Sequence, residues 1–121
     1  MVASPEDSKK RTKQFALRII RLVDSLPERS STRMIGNQLL RSGTSVGANY
    51  RAACRARSPA EFCSKMGIVE EEADESAYWM ELLIEGELVR EDLLVSLLQE
   101  SNEIVAMVVA SIVTAKQNKK R

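Results

Sequence analysis

Five carboxylates fall within six residues at Glu70, Glu71, Glu72, Asp74 and Glu75. On a helix, Glu71 and Glu75 share one face, and Glu70 and Asp74 share another. Carboxylates so spaced can hold a divalent metal, or move protons if one of a close pair has a raised pKa. Both chemistries need company that this chain lacks. Metal sites inside helical bundles pair glutamate with a histidine three residues on, and the sequence contains no histidine. That also removes the commonest general base. Two cysteines, Cys54 and Cys63, cannot complete a usual zinc site without histidine. No activated nucleophile and no glycine-rich phosphate loop accompanies the carboxylates. The residues therefore predict no catalysis, no cofactor, no metal and no small-molecule substrate.

The second group with chemical potential is basic. Lys9, Lys10, Arg11 and Lys13 lie near the start, Arg51, Arg55 and Arg57 in the middle, and Lys116, Lys119, Lys120 and Arg121 at the end. The formal net charge is only +1, so attraction to a polyanion depends on whether the fold gathers these residues together.

The elements that would gather them are helices. Ser4-Pro5-Glu6-Asp7 reads as a capped start, and apolar residues follow at Phe15, Ile19, Leu22 and Leu26 until Pro27 stops the run. Ser58-Pro59-Ala60-Glu61 is a second start, and Gly86 is placed to end the helix it opens. Helical periodicity and these signals predict helices over about 5–26, 32–57, 59–85 and 90–118. Short connections make this an all-α, up-down-up-down four-helix bundle, one domain over residues 1–121.

The second helix has an unusual composition. Ile35, Leu39, Val46 and Tyr50 form a large apolar stripe, and Gly36, Gly43 and Gly47, with Cys54, form a small-residue stripe beside it. Each glycine costs about 1 kcal/mol of helix propensity, which close approach of a neighbouring backbone would offset. The tight turn between helices two and three forces an antiparallel hairpin. Pairing across it brings Arg41 near Asp74 and Glu75, and Arg33 near Glu81 and Glu85, as exposed ion pairs worth less than about 1 kcal/mol each. Cys54 and Cys63 flank that turn, so a disulfide is conceivable beside the plainer reading of two reduced, buried thiols.

The third helix has its core face at Phe62, Met66, Val69, Ala73, Ala77, Met80 and Ile84, and a second apolar line at Ile68, Trp79 and Leu82. The fourth has a core arc through Leu94, Leu97, Leu98, Val105, Val108 and Ile112, widened by Val95, Ala106, Val109 and Val113. These extra faces read either as subunit interfaces or as scattered surface apolar residues. The most apolar window, Ile104 to Ala115, is shorter than the roughly 20 residues of a membrane span. The N-terminal segment has no apolar core of a secretory signal. A soluble, cytoplasmic protein without membrane contact is expected.

Up-down topology puts the start of helix one, the turn after helix two and the end of helix four at one pole. Twelve basic residues (the eleven above and Lys65) meet Glu6, Asp7 and Glu61 there, a net +9, and the rest of the chain carries −8. One reading is a surface that holds phosphate backbone by counterion release. The other is solubility, together with cations favoured at helix C-termini. Tyr50 is the single aromatic expected among these cations, so base stacking is not anticipated.

QLLRSGTSVGANYRAACRAR over 38–57, SPAEFCSKMGIVEEEADESAYWMELL over 58–83 and the closing apolar helix resemble one known family. These are the bacterial four-helix-bundle proteins first noticed as reading frames within 23S ribosomal RNA intervening sequences. The resemblance runs from about Phe15 to Asn118. Many members carry proline near the position of Gly47, so this chain is similar to the glycine-bearing branch. The resemblance implies a left-handed bundle assembled as a homopentamer with a central opening. A related branch, the accessory variability determinants of diversity-generating retroelements, binds a reverse transcriptase and nucleic acid. Two functions are thus expected in outline. One is a non-enzymatic oligomeric bundle whose basic pole binds RNA, DNA or a nucleic-acid enzyme such as a reverse transcriptase. The other is a protein-interaction scaffold that never touches nucleic acid.

Overall fold

Four helices form where capping residues and apolar periodicity coincide. The computed structural model describes residues 4–119. Helix α1 spans Pro5–Asp24, capped by the Ser4 hydroxyl, which accepts from the Asp7 amide at 3.1 Å. It ends two residues before Leu26, because the residue ahead of Pro27 is driven from the helical region, and Ser25 turns back to the Leu22 carbonyl at 3.0 Å. Helix α2 spans Ser30–Ala53. Its first turn is organised by Thr32, whose hydroxyl accepts from the Arg29 amide at 3.2 Å and donates to the Pro27 carbonyl at 2.5 Å.

Helix α2 stops at Ala53 instead of continuing to Arg57. The Arg55 and Ala56 amides tighten onto the Ala52 and Ala53 carbonyls, and Ser58 is extended, as a residue before proline must be. Arg55 and Arg57 therefore belong to the turn, not to a helix face. Helix α3 spans Pro59–Glu85, with the Ser58 hydroxyl accepting from the Glu61 amide at 3.1 Å. Gly86 ends it with ordinary negative φ, and the left-handed residue is Glu87 at φ 56°. Helix α4 spans Glu91–Lys119.

The helices pack in a cycle in which α1 meets α2 and α4, and α3 meets α2 and α4. Phe15, Ile19, Leu39, Met66, Met80, Leu83, Leu94 and Ile104 are closed to solvent at the centre, each worth about 1.5–3 kcal/mol of burial. Leu83 takes the place expected of Ile84, which is half-buried together with Phe62. Small hydroxyls seal the core between helices. Ser76 donates to Ser42 at 2.9 Å, and Ser101 donates to the Ala73 carbonyl at 2.6 Å.

The expected second line on α3 is mostly not outward-facing. Trp79 and Leu82 are half-buried against the core, and the Trp79 indole donates to Glu75 at 3.0 Å. They sit on the shoulder beside α2, where a side chain can fold back onto its neighbour. Only Ile68 of the three is exposed. On α4, Val95, Ala106, Val109 and Val113 are all exposed, as expected.

Candidate functional site

Contacts between helices decide which basic residues meet. Ser8 lies against Met107, Arg11 against Glu100, and Thr12 against Gly47. The start of α1, the end of α2 and the last turns of α4 thus share one pole. Between α1 and α2 this pole opens into a groove of about 540 Å³ lined by Glu6, Lys9, Lys10, Lys13, Ala16, Thr44, Gly47, Ala48 and Arg51. Small residues make the groove. At Gly47 a Cβ would stand 3.3–3.4 Å from Thr12, and Ala16 and Ala48 add little bulk.

The cations on the groove differ in how free they are. Lys9 pairs with Glu6 at 3.2 Å. Lys10, Lys13 and Arg51 are without an ion-pair partner among the described residues. In the adjoining turn Arg55 and Arg57 are exposed, as is Lys116 on α4. The side chain of Lys119, with Lys120 and Arg121, lies outside the described residues.

Arg11 leaves the expected set. Its guanidinium makes two hydrogen bonds to Glu100, at 2.7 and 2.9 Å, and reaches Glu103 at 3.4 Å. The hydrogen bond to Glu100 raises its pKa further above the ordinary arginine value, against a smaller desolvation effect. Arg11 faces α4 instead of the groove, so its charge is spent inside the bundle. This assignment needs the angular position of Arg11 relative to two neighbours, which periodicity along one helix does not supply.

The acidic run of α3 is partly neutralised. Arg41 pairs with Glu75, as expected, but its second partner is Glu72 at 3.3 Å and not Asp74. One helical turn separates Glu72 from Glu75 along the α2-facing edge, whereas Asp74 points away. Arg33 makes no ion pair with Glu81 or Glu85 among the described residues. Cys54 and Cys63 are half-buried free thiols.

Beside the groove, the Tyr50 ring is buried with its hydroxyl near Ser8 and Cys54. Burial raises its pKa, the Ser8 contact opposes that, and Cys54 and Glu6 add to it.

No curated protein matches the chain. Among solved structures, it is similar to a crystal structure at 1.70 Å of a protein of unknown function from the S23 ribosomal protein family of Bacteroides thetaiotaomicron. The two share 38% identity and superpose with a TM-score of 0.80 over 86% of this chain and 96% of that one. The family described as 23S rRNA-intervening sequence protein matches residues 7–110, which takes in every groove-lining residue but Glu6; the chain belongs to that family.

Proposed function

We propose that the protein is a non-enzymatic bundle that holds the phosphate backbone of RNA or DNA on its basic pole and works as a ring of identical copies. The α1–α2 groove carries this reading, because Lys10, Lys13 and Arg51 converge there without acidic partners among the described residues. A near-neutral protein binds a polyanion only if its cations are gathered, and each phosphate they neutralise releases counterions.

The ring rests on α4. Only 28% of an apolar 18-residue window of α4 is buried, and Ala106, Val109 and Val113 follow one another along an exposed flank, with Val95 three turns earlier beyond the exposed Gln99 and Asn102. Water penalises a contiguous apolar strip, and a second copy removes it. A cyclic assembly with parallel axes, such as the pentamer the family resemblance implies, would bring every basic pole to one side.

Binding of fluorescent RNA and DNA between about 50 and 200 mM salt tests the groove. Changing Lys10, Lys13 and Arg51 together to Gln should flatten the slope of log affinity against log salt by up to about 0.7–0.9 for each phosphate no longer neutralised. Changing Arg21, Arg29 and Arg33 to Gln removes the same charge elsewhere and should leave the slope nearly intact. Equal responses, or no binding by wild type at low salt, would end this reading in favour of a protein scaffold. For the ring, V109E with V113E should be helical and monomeric by light scattering while wild type is not.

A further inference from the structure

We infer that the basic pole takes single-stranded nucleic acid and seats an unpaired base in a cleft beside Phe62. The inference rests on the proposed phosphate-binding function and specifies the form of nucleic acid it serves.

The cleft lies where the α2–α3 turn meets the end of α4. It is a shallow, open cleft of about 470 Å³ lined by Ala56, Arg57, Ser58, Pro59, Phe62, Ala115 and Asn118. Phe62 packs against the core and also lines this cleft, so its ring is held rigidly while part of it remains accessible. An accessible aromatic side chain thus stands among the cations of the pole, where periodicity placed only Tyr50; Tyr50 is buried.

The lining matches a nucleobase in kind. Phe62, Pro59 and the two alanines present apolar surface to a π-face. The Asn118 amide offers a donor and an acceptor to a base edge. The Ser58 oxygen accepts from the Glu61 amide and keeps its own O–H to give. Arg57 borders the cleft and Arg55 lies two residues away in the same exposed turn. The nearby acid, Glu61, is engaged in accepting the Arg57 amide at 3.2 Å. Arg51 borders the phosphate groove and Arg57 borders the cleft. One short stretch of chain therefore links a site for backbone with a site for a base. A duplex keeps its bases stacked inward and cannot fill the second site, whereas an unstacked strand can fill both.

Oligonucleotides of equal phosphate number, one single-stranded and one duplex, separate the possibilities when titrated onto the full chain. A 2-aminopurine in the single strand reports stacking through its quenching. Wild type should bind the single strand at least about fivefold more tightly, the lower end of what one stacked base contributes, and quench the probe. F62L keeps apolar volume against the core and should lose that preference and the quenching while keeping the salt slope. A115L fills the cleft from α4 without adding an aromatic ring and should do the same with Phe62 unchanged. Equal binding of both forms by wild type, or full preference in both variants, overturns the base site and leaves phosphate binding standing. Binding of neither form overturns the phosphate reading as well.

Discussion

Helix α1 is held by two seams of different physical character. Toward α2 it meets glycines. A Cβ on Gly43 would lie 2.8 Å from Ile19 Cγ1 and 2.9 Å from Cγ2, and one on Gly36 would lie 3.4 Å from Val23 Cγ1 and 3.1 Å from Cδ1 of Leu26, just past the end of α1. Toward α4 it meets the polar groups Glu100 and Glu103 at Arg11 and Ser96 at Arg18, with the Met107 thioether at Ser8. The glycine seam draws on burial and dispersion, which require close fit and do not weaken with salt. The polar seam draws on ion pairs that are a fifth to a half exposed, where Coulomb attraction is largely offset by water. The α1–α2 unit is therefore the firm part of the basic pole. The groove lies across that unit, so its cations project from the better-determined side of the bundle.

The sharpest way to break this contrast is Gly43→Leu. The near atoms belong to a β-branched side chain that cannot swing aside, so overpacking should cost about 1–3 kcal/mol or more by chemical denaturation. Unchanged stability would show that the seam does not need closeness there. A double-mutant cycle of Arg11→Met and Glu100→Gln weighs the other seam. Its coupling should be about 1 kcal/mol at most, and should shrink as salt rises from 0.05 to about 1 M. Coupling that exceeds the Gly43→Leu effect would reverse the order of the two seams.

Gly36→Ala probes how much slack the glycine seam contains. Its new Cβ meets the tip of Leu26, which can yield, and Val23 Cγ1 at an ordinary contact distance of 3.4 Å, while the helix gains up to about 1 kcal/mol of propensity. The expected thermal midpoint is equal to wild type or higher, the opposite sign to Gly43→Leu. The smallest effect concerns Tyr50, at the polar end of this seam. Burial raises its pKa above the ordinary 10.0, so on raising the pH the unfolded chain loses the phenolic proton first. The native chain then binds more protons, and stability falls with rising pH. This contribution is complete below pH 10 and disappears as pH climbs through the folded-state value. Tyr50→Phe should flatten the alkaline limb of a denaturation-midpoint profile, and an unaltered limb would show that the hydroxyl is not shielded.

The candidate site was only partly legible in the chain. Lys10, Lys13 and Arg51 could be assigned to one pole because antiparallel order follows from short turns, and the structure brings them to one groove. Arg11 could not be separated from them, since it is one residue from Lys10 yet turns about 100° toward another neighbour. Phe62 reads as a core residue by periodicity. Its second role as cleft wall depends on where α4 ends against the α2–α3 turn.

By itself the sequence determined the four helices, their order and the glycine stripe. These depend on capping, proline and side-chain size, which act within one turn of chain. Only the tertiary structure decided that Trp79 and Leu82 settle against the core, that Arg41 takes Glu72 and not Asp74, and that Arg11 serves the α4 seam. Each of these turns on which neighbour a side chain at the edge of a helix meets. Such a choice turns on angles and distances between elements, to which periodicity along a single helix is blind.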